Sequence, residues 1–213
     1  MVKVAKAHTK TAKEGFKMNV CVFGASSNYI DEKYLNIAHD LGTALANAGM
    51  SLVFGGGSTG VMGAVARGAH ENGGHILGVA PRFMVKFNVL YEENCTEFKF
   101  TETMAERKAY MEEHADAFVI APGGIGTYEE FFEVFTLKQL DRHNKAIVIL
   151  NAFGYYDEML EMLNKSVKEN FLSEGSLKLV KVFTEVEPII NYLKDYSAGN
   201  VNTADIRYNF TRK

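Results

Sequence analysis

The residues best placed to do chemistry stand together in PGGIGTYEE, from Pro122 to Glu130. Gly123, Gly124 and Gly126 let the backbone turn sharply and come close to a ligand. A helix after this turn, read as Tyr128–Leu140, leaves its first amides unpaired, and with the helix dipole they form an anion site. Glu129 and Glu130 then fall in the first helical turn, which suits the dipole but makes them awkward neighbours for a phosphate. The pattern points to a ligand with a phosphate at one end and a reacting end near a carboxylate. Adjacent helical residues lie about 100° apart, so only one of the two glutamates faces that ligand.

A second glycine-rich run, GGGSTGVMG (Gly55–Gly63), follows an apolar strand segment and opens a helical one. Gly55, Gly57 and Gly60 match the GxGxxG spacing, but the next strand runs into Pro81 and Arg82 rather than an acidic residue. It is therefore not the dinucleotide fingerprint, and without Gly-Lys-Ser/Thr it is not a P-loop. One such loop is compatible with nothing more than tight strand-to-helix packing; two at strand ends favour phosphate binding. Arg107 and Lys108 are adjacent on a helix one strand before the glycine turn. Such a pair is ordinarily a solvated face, but from this position it reaches the same crevice. His39, His70, His75, His114 and His143 are scattered without metal-ligand spacing, so they read as surface or packing residues, and neither a metal nor a cofactor is called for. No GxSxG elbow occurs.

The elements that must position these groups alternate in type. Asn19–Phe23, Ser51–Phe54, His75–Ala80, Ala117–Ile120, Ala146–Leu150 and Leu179–Phe183 are apolar strand segments, with a shorter one at Glu97–Phe100. Between them lie helical patterns at Glu32–Asn47, with Asp31 as cap and Gly49 as stop, Val61–Asn72, Thr103–Glu113, Tyr156–Asn170 and Glu185–Tyr196. Phe131, Phe132, Phe135 and Leu140 read as a core or dimer stripe, with core the default. Alternation of helices with near-continuous apolar strands defines an α/β fold, a parallel sheet covered on both faces. Loops Gly24–Ser27, Gly55–Gly60 and Pro122–Thr127 all fall at strand carboxyl ends, where such sheets bind ligands, so Gly24 and Ser26 join the candidate site. Residues 81–97 are apolar without periodicity and read as a covering loop, set against a ligand, a partner subunit or their own domain.

The chain has 213 residues, 47% hydrophobic and 23% charged, with a net charge of −3. That charge argues against a nucleic-acid binder working through a basic surface. Two cysteines, Cys21 and Cys95, make no disulfide framework and place the protein in a reducing, cytoplasmic compartment; Cys21 reads as a buried small hydrophobe. No run approaches the roughly 20 apolar residues that span a bilayer. Residues 1–17 carry five lysines and no apolar core, so they read as a solvated basic tail. Residues 18–196 form a single domain and 197–213 a second tail.

Three motifs in order resemble one family. PGGIGTYEE is similar to the PGGxGTxxE signature of the "lonely guy" proteins, the cytokinin riboside 5′-monophosphate phosphoribohydrolases. GGGSTGVMG resembles their GGG-x-x-G-x-MG loop, and MAERKAYM (Met104–Met111) their M-x-x-RK helix. The resemblance spans Asn19 to Tyr192. It implies a Rossmann-like doubly wound sheet, a homodimer, and hydrolysis of a nucleoside 5′-monophosphate to free base and ribose 5-phosphate. It places the catalytic groups on Arg107 and Glu130. Phosphate contacts fall on the Gly55–Gly60 loop, with Gly56, Gly57, Ser58 and Gly60, and on Gly123, Gly124, Gly126 and Thr127, with Lys108 beside them. Members have often been labelled lysine decarboxylases. That chemistry needs a Schiff-base lysine and pyridoxal phosphate, and no Ser-x-His-Lys run occurs here. Many plant-type members carry a PRE segment before the Arg helix. The corresponding stretch, PRFMVKFNVLYEENCTEF, lacks it, which leaves AMP as plausible a substrate as a prenylated nucleotide.

Overall fold

A computed structural model describes residues 18–197; the tails read at 1–17 and, but for Ser197, at 197–213 lie outside the described residues. The strands are β1 (Asn19–Phe23), β2 (Ser51–Phe54), β3 (Ile76–Pro81), β4 (Glu97–Thr101), β5 (Ala117–Ile120), β6 (Ala146–Leu150) and β7 (Lys181–Phe183). The helices are α1 (Glu32–Asn47), α2 (Gly60–Glu71), α3 (Met104–Glu113), α4 (Ile125–Gln139), α5 (Asp157–Lys168), the single turn α6 (Glu174–Leu177) and α7 (Val186–Asp195). All strand pairs are parallel, in the order β4-β3-β2-β1-β5-β6-β7. The order reverses between β1 and β5, so the strand ends splay there into a crevice, as doubly wound sheets require.

Alternation along each strand builds two apolar layers. Val20 and Val22 of β1 pack with Leu41 of α1, Val65 of α2 and Ile189 of α7. Cys21 and Phe23 pack on the other face with Met111 of α3, Phe131 of α4 and Leu163 of α5. Cys21 is fully buried, as its apolar setting implied, and burial pushes its thiol pKa well up. Helices α1 and α2 touch backbone to backbone: a Cβ on Gly42 would sit 2.0 Å from Val65 O, and one on Gly68 2.0 Å from His39 O. Glycine at these two positions lets the helices pack this closely.

Strand and helix ends match the sequence reading to within a few residues, with one functional correction. Helix α4 begins at Ile125, not Tyr128. Gly126 and Thr127 look like turn residues by propensity, yet they sit in the first helical turn, where few backbone bonds are lost. Glu129 and Glu130 therefore lie in the second turn. No acidic residue occupies the first, and the favourable dipole contact ascribed to the two glutamates is absent. Leu140, read as core, is 62% exposed, while Phe131 and Phe135 are buried.

The β3–β4 connection departs from strand–helix alternation. Two 3-10 segments, Arg82–Phe87 and Glu92–Asn94, replace a helix. The loop is pinned onto the β2 glycine run by Ser58 N–H to Val89 O at 2.7 Å and Tyr91 N–H to Gly56 O at 2.9 Å.

A lysine closes the far end of the sheet. Lys138, 2% exposed, donates from Nζ to Lys145 O (2.7 Å), Leu179 O (3.1 Å) and Tyr196 Oη (3.3 Å), tying α4 to the starts of β6 and β7 and to the residue after α7. Burial lowers its pKa from 10.5 to about 8. The folded chain thus releases this proton before the unfolded chain does, and between those pH values the unfolded state binds more protons. This group's contribution to stability accordingly rises with pH across that window and is flat below it. Lys138→Met should remove that rise and, by taking the donor from the buried Leu179 carbonyl and the part-buried Lys145 carbonyl, cost about 1–3 kcal/mol; urea denaturation at pH 7 and at pH 9.5 reads both effects.

Candidate active site

The β1, β2 and β5 ends, the α3 helix and the β3–β4 loop enclose a cavity of about 390 Å3 at the switch point. A larger depression of about 510 Å3 between α1 and α7, lined by Asp40, Glu187 and Lys194 among others, holds none of the residues singled out in the sequence.

One end of the cavity is made of backbone. Gly124 caps α4 without a side-chain hydrogen bond. The amides of Gly124, Ile125, Gly126 and Thr127 find no protein acceptor among the described residues, so four donors face outward at a positive helix end. The start of α2 is different. Gly60 N–H goes to Asn28 Oδ1 (2.8 Å), Met62 N–H to Ala25 O (3.1 Å) and Gly63 N–H to Thr59 O (3.0 Å). Both glycine loops read as anion sites in the sequence, but only α4 presents a row of unpaired amides.

The charged centre is a buried pair. Thr103 caps α3 by accepting from Glu106 N–H at 3.1 Å, which sets the phase of the helix and turns Arg107 inward to 6% exposure. Arg107 donates from Nε to Val79 O at 3.2 Å and from Nη1 to Glu130 Oε1 at 3.0 Å. The ordinary reading of a helical Arg-Lys pair as a solvated face fails for Arg107. Burial raises the Glu130 pKa although the guanidinium opposes it. Glu130 Oε2 accepts no hydrogen bond from the described residues, which leaves it to a ligand. The next pair along the two helices lies outside: Lys108 binds Glu129 and, at 2.6 Å, Glu133 Oε2. Thus one of the adjacent glutamates faces the cavity and the other holds α3 against α4 from outside.

Gly55 makes room for the arginine. A Cβ there would lie 1.8 Å from Arg107 Nη2. Gly55→Ala should displace the guanidinium, break its bond to Glu130 and cut any turnover by at least about 100-fold, the scale of an approximately 1 Å misplacement. Comparing the activities of the Gly55→Ala and Arg107→Met proteins checks this, since both should fall to the same floor.

Of the residues assigned from the sequence, Gly24, Ser26, Gly57, Arg107, Gly124, Gly126, Thr127 and Glu130 line the cavity. Gly56, Ser58, Gly60, Lys108 and Gly123 do not. Gly56 and Ser58 instead hold the covering loop, and Gly60 is bonded to Asn28. Met84 and Leu90 of the covering loop also line the cavity, and what sequence reasoning missed is the rest of that apolar wall: Met62, Met104 and Ile125. Met62 and Met104 lay within the quoted motifs, but nothing in their spacing set them apart from core methionines. The histidines hold no metal cluster among the described residues. Burial drives His143 down to about 4, and its neutral ring bonds Val134 O at 2.9 Å.

A switch-point crevice in a doubly wound sheet, with an amide-lined helix start facing a buried Arg–Glu pair, defines a Rossmann-like α/β protein built for a small phosphorylated ligand. The family model described as "Possible lysine decarboxylase" matches residues 62–193. The chain is 38% identical over 185 residues, 87% of its length and 86% of the other, to Arabidopsis thaliana cytokinin riboside 5′-monophosphate phosphoribohydrolase LOG4. It is 42% identical over 188 residues, 88% of its length and 92% of the other, to the probable enzyme LOG6 of the same plant. The chain belongs to this phosphoribohydrolase family. In fold it is also similar to the molybdenum cofactor carrier protein of Chlamydomonas reinhardtii, with a TM-score of 0.64 and 24% identity over 84% of this chain and 97% of that one.

Proposed function

We propose that the protein hydrolyses the N-glycosidic bond of a nucleoside 5′-monophosphate, releasing free base and ribose 5-phosphate. The observation that carries this is the buried Arg107–Glu130 pair, 3.0 Å apart, on the wall of a cavity whose end is a row of unpaired amides. A phosphate on the α4 amides anchors the ligand and positions its reacting carbon. The ribose then lies over Glu130 and the base against Met62, Met84 and Leu90. As the C1′–N bond breaks, its electron pair leaves with the base and C1′ takes on oxocarbenium character. The Glu130 carboxylate offsets that charge, contacts the ribose hydroxyls or activates the attacking water. The water oxygen bonds C1′ and a proton passes to the base. Arg107 holds the carboxylate in place and offsets charge that develops on the ligand. The names of the curated relatives support this reading.

The decarboxylase description does not suit the residues present. No lysine lines the cavity, and Lys108, the nearest in sequence, is held outside by Glu129 and Glu133. A homodimer fits the exposed apolar rim at Phe83, Val85, Phe87 and Ile125. A cytoplasmic location fits two free thiols and the lack, among the described residues, of any helix long and apolar enough to cross a membrane.

The other reading is a phosphate-binding module without turnover. Chromatography of products from AMP and from isopentenyladenosine monophosphate, offered separately, distinguishes them. Release of base and ribose 5-phosphate from either establishes the hydrolase, and the ratio shows whether the divergent covering loop favours a prenylated base. Calorimetric binding of both with base from neither makes the protein a binding module.

A further inference from the structure

The loop after β6 contains two left-handed residues in succession, Phe153 (φ 56°) and Gly154 (φ 73°). Left-handed backbone is an outlier for a phenylalanine, and strain of this kind persists only where surrounding contacts enforce it. Here the Phe153 ring meets Tyr34 edge-on at 5.6 Å, with Lys33 Nζ 5.3 Å from its centre. The turn delivers Tyr155 and Tyr156 beneath the glycine turn at β5. Tyr155 donates its hydroxyl to Gly123 O and Tyr156 to Ala121 O, each at 2.7 Å.

We infer that Tyr155 is a positioning residue for the anion site: by holding the Gly123 carbonyl it aims the Gly124 amide into the cavity. The inference rests on the phosphate-binding role proposed above for α4. Every described peptide is trans, so each C=O points opposite to the N–H of the following residue. Sheet order then fixes directions. The cavity extends from the β5 end across β1 and β2, and the Tyr155 loop leaves β6, on the other side of β5. The Pro122 carbonyl is turned toward β1, where Ala25 N–H donates to it at 3.1 Å. The next carbonyl, Gly123, is turned toward β6 and Tyr155. The Gly124 N–H therefore points back toward β1, and Gly124 lines the cavity. Gly123 and Gly124 have no Cβ to restrain this peptide plane, and no other donor among the described residues reaches the Gly123 carbonyl. Burial raises the Tyr155 pKa, so the phenol stays a donor through the neutral range. Tyr156 offers an internal contrast: it donates to Ala121 O, which precedes a proline and so has no following N–H to aim, and its oxygen meets the Gly123 N–H, one peptide before that of Gly124.

Calorimetric titration of wild type, Tyr155→Phe and Tyr156→Phe with ribose 5-phosphate, and separately with adenosine, tests this. Tyr155→Phe should weaken ribose 5-phosphate binding about 3- to 10-fold, one hydrogen bond's worth, and leave adenosine binding unchanged. In turnover of AMP the change should appear in KM, with kcat within about twofold. Tyr156→Phe should lower the thermal midpoint and leave ribose 5-phosphate affinity within about twofold. Undiminished ribose 5-phosphate binding by Tyr155→Phe, or equal losses in both variants or for both ligands, overturns the inference. The binding arm needs no turnover. Tyr155→Phe binding normally in an active enzyme sinks the positioning role alone; a wild type that binds ribose 5-phosphate without cleaving AMP sinks the hydrolase alone. A wild type that binds no ribose 5-phosphate overturns the positioning role, and one that in addition cleaves no AMP overturns both.

Discussion

Glu130→Gln should bind nucleotide as wild type does and lose on the order of 1,000-fold in kcat, the range that a positioned acid–base group contributes. Gln keeps the shape and can still accept from Arg107 Nη1 through its amide oxygen, so the cavity is preserved. What it lacks is the negative charge at an atom, Oε2, that has no protein donor among the described residues. The pH profile gives a second readout. Burial raises the Glu130 pKa above the ordinary 4.5, so the carboxylate protonates earlier as pH falls, and the acid limb of kcat/KM should lie above pH 4.5. The residual activity of Glu130→Gln should lack that limb. Stopped assays from pH 4.5 to 8 on both proteins check this, and a variant with wild-type kcat removes Glu130 from the mechanism.

The second large effect is on stability as well as rate. Arg107→Met leaves Glu130, whose side chain is 11% exposed, without its only cationic partner in direct contact among the described residues. Breaking a buried pair in this way costs about 3–5 kcal/mol when the surviving charge has no relief, and Glu130 should relieve it by taking up a proton. The double variant Arg107→Met with Glu130→Gln has no stranded charge. Its stability in urea should exceed that of Arg107→Met alone, a non-additive result expected for groups in contact, while activity stays at the floor of either single variant. Additive behaviour, with the double change costing the sum of the two single changes, would show that the pair is not coupled in the folded protein.

The fold was legible because its strands are uninterrupted apolar runs such as AIVIL at Ala146–Leu150, set between amphipathic stretches with clear stops. The pair Arg107 and Glu130 was legible only through the family motifs: adjacency to Lys108 and to Glu129 does not say which member turns inward. That choice is made by helix phase, which depends on the Thr103 cap for α3 and on the first residue of α4. The α4 start was misplaced because glycine has low helix propensity, whereas in a first turn facing a cavity it costs little. Lys138 and the tyrosine supports escaped notice for a different reason. Each is defined by carbonyls distant in sequence, as Tyr155 is by Gly123 and Lys138 by Leu179, and no local pattern encodes such a meeting. The covering loop is similar: its apolar residues lack periodicity because they follow the cavity and the β2 glycine run, not a helix or strand face.

A phosphoribohydrolase differs from a phosphatase in which bond of the nucleotide breaks. Purified protein incubated with AMP, with adenine, ribose 5-phosphate and inorganic phosphate quantified in the same samples over time, decides it. The expected result is adenine and ribose 5-phosphate in equal amounts with no inorganic phosphate, and neither product from Glu130→Gln on that timescale. Adenosine with inorganic phosphate, or equal adenine release by Glu130→Gln, would contradict it.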